Sequence, residues 1–429
     1  MSDTATRPGF DEQTLAALPE APPFVEALRK QALQEMLALP IPSAETEEWR
    51  YTDLSGLDLS FTPHVPGHGG EGMPRVSRGE RAATQLQHNS SVVMSTSNQD
   101  LEARGVIFCD LDEAARSHPE LVEPHLHRLV PTSRTKFTAM HGAFRTGGTF
   151  LYVPPGVTVE LPLQTLHYLD AEGAAVFPHT LLVAGQDSEV TFIDRFTSPD
   201  LERAFADAVA ELVVGRAARV RYVSLQEWGD GVTHLGVQRA HIDRDADFRS
   251  LSIGFGASLA RAETEAILQG EGASSEMLGV FFADENQHFD HRTEQDHVAP
   301  NCTSDLLYKG ALRDESRGVY SGWVHVRPGA QKTNAMQTSR NIILSEGAFG
   351  RAIPNLEIEA NDVRCGHAAS VGPVEDEQLF YLMSRGIPHD EAEKLIVFGF
   401  FNEVLERIGL EEVRESAARA IEAELARDE

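Results

Sequence analysis

Cys365 and His367 are the residues whose types and spacing are best suited to chemistry. They follow a run of alternating apolar positions that predicts a strand, and residues two apart on a strand point to the same face, about 6.6 Å apart. A thiolate beside an imidazole is typical of zinc and iron–sulfur sites. Two ligands are too few to close such a site. The pair therefore predicts half of a metal or cluster site, with a buried, mutually satisfied pair as the alternative.

Three histidines are concentrated between His288 and His297. On a strand, His291 and His297 share a face but lie about 20 Å apart, while His288 points to the other side. They cannot converge on one ion without a sharp bend, so we predict exposed polar positions of a strand rather than a metal site. Of the other cysteines, Cys109 is predicted to be a small buried residue. Cys302 lies in a polar segment, where a reactive thiol is an open alternative.

Motifs for nucleotide chemistry are absent from the sequence. GxxxxGK[ST], which cradles phosphates, does not occur. Gly254 and Gly256 lack the third glycine of a dinucleotide-binding fingerprint and lie among predicted strands. A GxSxG nucleophile elbow is also missing. Nothing in these patterns predicts ATP hydrolysis, dinucleotide-dependent reduction or serine hydrolase activity.

The composition predicts a protein of the cytoplasm. The 429 residues include 66 acidic and 37 basic side chains, and the formal net charge is -29. Such a surface repels nucleic acid and anionic membranes, so neither is expected as a partner. Three scattered cysteines do not suggest a disulfide framework and suit a reducing compartment. The longest apolar run, Leu395–Phe401, is too short to cross a bilayer.

Four regions differ in their residue patterns. Residues 1–62 are predicted to be helical, because apolar residues recur at helical spacing from Phe24 to Leu37. Residues 63–84 are rich in glycine, proline and histidine and are predicted to be a linker. Residues 85–372 contain short strand-like runs separated by turn residues. A second helical region is predicted over residues 373–429.

The central region predicts a mainly β fold. Periodicity alone cannot separate a jelly roll from a parallel β-helix, because both consist of short strands joined by turns. The region is far longer than one sandwich of roughly 100 residues, whereas a solenoid extends by stacking further coils. We therefore favour a β-solenoid, with a double jelly roll as the alternative.

The carboxy-terminal region contains a predicted helix that is apolar on every side, because it includes Leu395–Phe401. Such a helix is buried all round, either by its own domain or by a partner. A shorter helix is predicted before it, and a last helix, Leu410–Ala426, has a single apolar stripe.

Several further motifs carry a family resemblance. They are Pro354–Glu359, Asn361–His367, Leu379–Ile387, Leu307–Gly310, Ser316–Gly318, Ala330–Thr333, Gln337–Asn341 and Pro178–Val183. Together they resemble the SufB/SufD family of the SUF iron–sulfur cluster assembly system. The SufB type of subunit carries an amino-terminal cysteine cluster that three scattered cysteines cannot supply. The resemblance is therefore closer to the SufD type, as is the segment Glu48–Thr52.

The resemblance implies a right-handed parallel β-helix core flanked by amino-terminal and carboxy-terminal helical domains. Cys365 and His367 would lie at the interface with SufB, where a nascent iron–sulfur cluster is assembled. The cluster would be transient, and the isolated chain would bind no cofactor stably. One departure concerns Gly366. The family usually reads Cys-Ser-His-Gly-Ala-Thr, whereas this chain reads Cys-Gly-His-Ala-Ala-Ser from Cys365 to Ser370.

The resemblance also implies that the carboxy-terminal domain docks the ATPase SufC. The candidate contacts are Leu395, Phe398, Phe400 and Phe401. The chain would then be a non-catalytic scaffold of the SufB–SufC–SufD complex, with the ATPase activity in SufC, and would be able to form a homodimer when isolated. Two alternatives stay open. One is a SufB-like homodimeric scaffold that works with SufC, and the other is a β-helix enzyme acting on polysaccharide.

Overall fold

A computed structural model describes residues 9–69, 73–76, 79–96 and 98–426. Its main body is a β-solenoid of about eight coils, with helices before and after it in the chain. The mainly β fold class predicted from the sequence is confirmed, and the architecture is the solenoid rather than the double jelly roll. Parts of the predicted amino-terminal region and linker (residues 1–8, 70–72, 77 and 78) lie outside the described residues.

Twenty strands occur in the described ranges. The first ten are β1 (Ala83–His88), β2 (Ser91–Ser95), β3 (Ile107–Asp110), β4 (Thr149–Val153), β5 (Leu163–Tyr168), β6 (Ala175–Val176), β7 (His179–Ala184), β8 (Glu189–Thr197), β9 (Ala204–Val214) and β10 (Arg219–Glu227). The other ten are β11 (Val232–Ile242), β12 (Asp247–Gly254), β13 (Leu259–Leu268), β14 (Ser274–Ala283), β15 (His288–His297), β16 (Thr303–Leu312), β17 (Arg317–Val326), β18 (Asn334–Ile343), β19 (Phe349–Ile358) and β20 (Arg364–Pro373).

The strands form two sheets that the chain visits alternately. The order in the first sheet is β2-β1-β5-β8-β10-β12-β14-β16-β18-β20. In the second sheet it is β19-β17-β15-β13-β11-β9-β7-β4-β3, with β6 beside β9. The register is regular, since Arg219 lies opposite Asp247, and Asp247 lies opposite Ser274. Equivalent residues of successive coils therefore stack, and a side chain keeps its face through the solenoid.

The space between the two sheets is filled mainly by apolar side chains. Phe192 and Tyr222 of the first sheet meet Leu182 and Leu212 of the second in one buried cluster. Polar groups are also present inside, and some of them are paired with one another. Asp194 Oδ1 lies 2.7 Å from His167 Nε2, and Asp194 Oδ2 accepts a 2.7 Å hydrogen bond from the Tyr222 hydroxyl. The interior thus accommodates neutral and paired polar side chains as well as apolar ones.

Nine α-helices occur in the same ranges. They are α1 (Glu12–Ala16), α2 (Pro23–Ala38), α3 (Gln99–Ala103), α4 (Leu111–Ser117), α5 (Pro119–Val122), α6 (Lys136–Phe144), α7 (Asp376–Ser384), α8 (His389–Leu405) and α9 (Glu411–Ala426). Helices α3–α6, which interrupt the strands between β2 and β4, were not predicted from the sequence. In the described part of the chain, none of the helices has the length and apolarity needed to cross a lipid bilayer.

Helices cover the outer faces of both sheets. On the second sheet, Leu33 of α2 and Met140 of α6 join a cluster with Phe205. On the first sheet, α8 and α9 pack over β8, β10, β12, β14 and β16 in a second apolar cluster. Arg81 and Glu412 form two 2.7 Å hydrogen bonds, which hold the start of α9 beside the start of β1. The strands of the first sheet under α8 and α9 are therefore buried on both faces.

Candidate functional site

The solenoid ends in two strands that each pair with one neighbour among the described residues. β19 pairs with β17, and β20 pairs with β18. Both end strands are 10 residues long. Their outer edges present a row of backbone N–H and C=O groups, onto which a further strand can add. We refer to this last coil, residues 349–373, as the open end.

Cys365 lies in β20 at the open end. It stands opposite Ala335 of β18, and it packs against an apolar cluster that includes Val324 and Ala360. Burial raises the pKa of the Cys365 thiol above its usual value, and a backbone hydrogen bond from Ala335 opposes this only in part. The thiol of the isolated chain is therefore neutral at pH 7. A metal ion or another cation is needed to stabilise the thiolate.

His367 lies two residues farther along β20, opposite Gln337, and its side chain is exposed. The strand geometry places Cys365 and His367 on one face. The alternative of a buried, mutually satisfied pair is wrong, because His367 faces solvent. The side chain at position 366 would point to the opposite face. A Cβ atom on Gly366 would meet the flexible Met336 side chain, with Sδ 3.1 Å away.

This pair alone does not complete a metal site. The described residues contain one group of three or more side chains that could hold an ion, and neither Cys365 nor His367 belongs to it. Structural zinc sites and iron–sulfur clusters take about four protein ligands. A cluster at the open end therefore requires ligands from a second molecule.

Large apolar side chains are exposed around the same end. Phe349 and Ile358 of β19 are 41% and 43% exposed, and Val371 of β20 is 38% exposed. Trp323 and Met336, one coil earlier, are also exposed. Apolar side chains beside an unpaired strand edge are typical of a protein interface. The exposure of these residues was not predicted from the sequence, because apolar positions that alternate along a strand normally face the core.

Helix α7 follows the open end directly and is almost unpacked. It begins at Asp376, just after β20 ends at Pro373, and none of its side chains is buried by the residues that the structure describes. Phe380, Tyr381 and Met383 are all exposed, Phe380 by 74%. The sequence contained the signal for this surface. Consecutive apolar residues at 379–383 exceed what one packed face of a short helix can bury.

Helix α8 is buried on one side by its own chain. Phe401 is fully buried against the first sheet and α9, whereas Phe398 and Phe400 are half-buried. Leu395 is 52% exposed. Of the four residues expected to contact a partner, Leu395 is thus the most accessible, and Phe401 packs within the chain. Lys309 of β16 fixes the helix by donating a 2.6 Å hydrogen bond to the Phe400 carbonyl oxygen.

A cleft connects the open end with the carboxy-terminal helices. Its volume is about 620 Å³, and it is lined by the ends of β18 and β20, the start of α7 and part of α8. Val371 of the open end and Phe400 of α8 both contribute to its wall. Because α7 begins three residues after β20 ends, a displacement of α7 would act on β20 through the chain itself.

The histidine-rich strand β15 is not exposed in the way the sequence suggested. His291 and His297 are 5% and 0% exposed and point into the solenoid, so the prediction of exposed positions is wrong for both. His297 Nε2 lies 2.8 Å from Ser304 Oγ, and His291 packs beside the Phe281 ring. Burial lowers the pKa of both imidazoles to about 4, so they are neutral at pH 7.

The other two cysteines differ from Cys365. Cys302 is fully buried, and its thiol donates a 3.3 Å hydrogen bond to the Gly270 carbonyl oxygen. This burial removes the alternative of a reactive Cys302. Cys109 is half-buried rather than fully buried, and burial raises its pKa to about 12, with Glu113 and Asp110 adding to the shift.

Comparison with known proteins decides the family. Residues 167–400 match the family described as SUF system FeS cluster assembly, SufBD core domain, and residues 81–165 match the SufBD protein N-terminal region. The chain belongs to the SufB/SufD family. The iron-sulfur cluster assembly protein SufD of Bacillus subtilis is 32% identical over 432 residues, which cover 97% of this chain and 98% of the relative.

Other members of the SufB/SufD family are similar at nearly the same level. The iron-sulfur cluster assembly protein SufB of Bacillus subtilis is 31% identical over 341 residues, 79% of this chain and 73% of the relative. An iron-sulfur cluster assembly SufBD family protein of Staphylococcus saprophyticus is 29% identical over 417 residues, 92% of this chain and 88% of the relative. The family resemblance inferred from the motifs is confirmed, and the polysaccharide-active alternative loses its support.

Proposed function

We propose that the chain is a SufD-type scaffold subunit, which pairs with a SufB-type subunit during iron–sulfur cluster assembly in the cytoplasm. The observation that carries this proposal is the incomplete ligand pair, Cys365 and His367, on the unpaired edge strand β20. A partner strand that adds to this edge brings its own side chains beside the pair. The cluster is the cargo of this assembly and is not a resident cofactor.

Two observations support the SufD type over the SufB type. The chain has only three cysteines, at positions 109, 302 and 365. The alignment with the Bacillus SufD covers nearly all of both chains, whereas the alignment with the Bacillus SufB covers 79% and 73%. A SufB-like homodimer is the competing assignment, and the experiment below separates the two.

The chain contributes ligands and performs no catalytic step of its own in this proposal. Cys365 keeps its proton in the isolated chain, because burial raises the pKa of its thiol. Iron, or iron carrying sulfide, favours the thiolate and displaces that proton. His367 is already exposed and supplies an imidazole nitrogen. The partner supplies the remaining ligands, so a cluster forms only in the paired state.

The carboxy-terminal helices are proposed to dock the ATPase SufC. Support comes from the exposed apolar residues of α7 and from Leu395 of α8. Because α7 continues directly from β20, a movement of the docked ATPase would be passed to the strand that carries Cys365 and His367. The ATPase would thus control access to the assembly site, without a nucleotide site in this chain.

Anaerobic coexpression with SufB-type and SufC-type chains, followed by iron and sulfide analysis of the purified complex, tests the proposal. Cys365→Ala and His367→Ala should leave the complex intact, because Cys365 is only half-buried and His367 is exposed, so neither change should disturb the fold. They should lower its iron and sulfide content by about tenfold or more. Cys109→Ser is the matched thiol control and should keep the full content.

The outcomes separate the candidate functions. Full iron and sulfide content in both the Cys365 and the His367 variant would overturn the ligand role. A cluster-bearing complex with the SufC-type chain alone would favour the SufB-like homodimer instead. Failure of the wild-type chain to bind either partner would reject the scaffold assignment altogether.

A further inference from the structure

Three buried histidines from separate segments meet beneath the helices that cover the second sheet. His127 lies in the loop after α5, His141 lies in α6, and His179 begins β7. They are 6%, 0% and 0% exposed. One ring nitrogen of each lies within 4.8 Å of the others, and this is the group of potential metal ligands found in the described residues. The convergence has no role in the proposed function.

The outward-facing ring nitrogens all face oxygen acceptors. His127 Nδ1 lies 3.0 Å from the Val130 carbonyl oxygen, and His141 Nδ1 lies 2.9 Å from the Asp207 carbonyl oxygen. A carbonyl can only accept, so both Nδ1 atoms carry the proton and both Nε2 atoms have a free lone pair. Fixing one imidazole nitrogen on an acceptor in this way is what metal-binding histidines usually show.

Glu211 of β9 lies beside the third histidine. Its Oε2 lies 3.2 Å from His179 Nε2, a close polar contact that is not aligned as a hydrogen bond. The carboxylate also accepts backbone hydrogen bonds of 2.6, 2.7 and 3.0 Å from His127, Leu129 and Val130. An acceptor beside Nε2 favours a proton there, which leaves the lone pair of His179 on Nδ1.

The inward-facing nitrogens consequently carry lone pairs that lack good hydrogen-bond donors. His127 Nε2 is buried and has no hydrogen-bond partner among the described residues. His141 Nε2 lies 3.1 Å from His179 Nδ1. If both outer nitrogens carry protons, this contact joins two lone pairs and is repulsive. A cation between the rings would remove the repulsion and would use all three lone pairs.

We propose that His127, His141 and His179 bind a divalent transition-metal ion, with Zn²⁺ as the best match, through Nε2, Nε2 and Nδ1. Imidazole nitrogen is a preferred ligand of such ions. Zn–N bonds of about 2.0–2.1 Å place neighbouring ligands of a tetrahedral ion about 3.3 Å apart, close to the 3.1 Å contact seen. A water would supply the fourth ligand. Burial lowers the pKa of all three imidazoles, which keeps them in the neutral, metal-binding form.

This site would be structural. It joins the loop and helix of the cover, through His127 and His141, to strand β7 of the solenoid, through His179. β9, which carries Glu211, is five strands from β19 in the second sheet, or about 24 Å along the solenoid. The ion is therefore separate from the ligand pair at the open end, and its presence does not depend on the proposed assembly role.

Titration of the full chain with Co²⁺ and then Zn²⁺, after removal of bound metal with a chelator, tests the proposal. A Cys365→Ala/His367→Ala background removes the other pair of candidate ligands. We expect one equivalent of Co²⁺ to give the visible absorption of a nitrogen-ligated tetrahedral site, and Zn²⁺ to displace it. Zn²⁺ should also raise the thermal unfolding midpoint, and the chelator should reverse this rise.

Variants locate the site. His127→Gln should weaken Zn²⁺ binding by at least about tenfold, and Glu211→Gln should weaken it less, because Glu211 only orients His179. His297→Gln removes a buried histidine elsewhere and is the matched control. Circular dichroism of each metal-free variant checks folding. Absence of saturable binding in the folded background chain would overturn the proposal, as would equal binding by the His127 and His297 variants.

Discussion

The two ends of the solenoid are finished in opposite ways. At the end where the chain enters, residues 83–153, the outermost strands β2 and β3 are antiparallel to their neighbours and only 5 and 4 residues long. A register shift between Leu86 and Gln87 also interrupts the pairing of β1 with β2. At the open end, β19 and β20 are parallel to their neighbours, 10 residues long and regular in register. We call the first the closed end.

The difference shows which end of the solenoid can accept a further strand. Short and irregular edge strands resist the addition of another strand, whereas long regular ones accept it. Cys365 and His367, the proposed half-site, lie on the end that accepts. The three buried histidines, which are the proposed metal ligands, lie near the helices of the closed end and all belong to one chain. The two proposed sites thus occupy opposite parts of the fold, one shared with a partner and one contained within the chain.

Charges placed on the edge of the open end should have the largest effect, which is on association with a partner chain. Ile358→Lys combined with Val371→Lys should weaken association with a SufB-type partner by about 1,000-fold, because pairing would bury two unpaired charges. Both side chains are exposed in the isolated chain, so its free energy of unfolding should change by less than about 0.5 kcal/mol. Sedimentation of the mixed chains measures the association.

The control for this experiment is a lysine on the closed end. Met94 of β2 is 39% exposed, much as Val371 is. Met94→Lys should leave the association unchanged. If this variant loses binding as strongly as the double variant, or if the double variant binds normally, the two ends are not distinguished by strand addition.

Replacing a glycine by alanine should change the free energy of unfolding differently at the two ends. Gly148 has φ +106°, and a Cβ atom there would lie 2.7 Å from the His179 carbonyl oxygen. Gly148→Ala should therefore lower the free energy of unfolding by about 2–3 kcal/mol. Gly372 of β20 has open space where its Cβ would be, as far as the described residues show. Gly372→Ala should stay within about 0.5 kcal/mol in urea unfolding, and equal losses would contradict the packing described.

Sequence patterns predicted the solenoid, and the shared face of Cys365 and His367, for simple geometric reasons. Short strands separated by turns over residues 85–372 exceed what a single sandwich can contain. A two-residue spacing fixes the relative direction of two side chains on any strand. The direction of this pair could therefore be predicted without knowledge of its neighbours, whereas its role as a ligand pair stays a prediction.

The short helices, the inward direction of two histidines and the meeting of three other histidines were not predicted from the sequence. Helices α3, α4, α5 and α6 have 5, 7, 4 and 9 residues, too few for helical periodicity to emerge. His291 and His297 were placed at the surface because alternation identifies a face but does not tell which face is inside. His127, His141 and His179 meet because a loop and helix α6 pack onto the second sheet, and no spacing in the sequence indicates this.

Cysteine reactivity provides a smaller contrast between the ends. The pKa of Cys109, at the closed end, is raised to about 12 by burial and by Glu113 and Asp110. Burial also raises the pKa of Cys365, but no carboxylate adds to that shift. At pH 9 we expect iodoacetamide to modify Cys365 at least about tenfold faster than Cys109, because only the thiolate reacts. Mass spectrometry over time measures both rates, and a faster Cys109 would contradict the environments described.

The same two thiols give a pH dependence of stability with a defined sign. Their pKa values are higher in the folded chain than in the unfolded chain, so the folded chain binds more protons near pH 9. Their contribution to stability should therefore be complete at neutral pH and should decrease as the pH rises above about 9. Cys109→Ser should reduce this decrease more than Cys365→Ser does, since the pKa of Cys109 is raised further.

The smallest expected effect concerns Gly366, which stands between Cys365 and His367. Its φ lies outside the left-handed region, and the atom nearest to a new Cβ is the mobile Met336 Sδ, at 3.1 Å. Gly366→Ser should thus change the free energy of unfolding by less than about 0.5 kcal/mol, since a thioether can rotate away. Cluster content should also stay at the wild-type level, because the serine would point away from the face that carries Cys365 and His367. A loss of cluster content in a stable Gly366→Ser chain would mean that the opposite face of β20, near Met336, also contacts the partner.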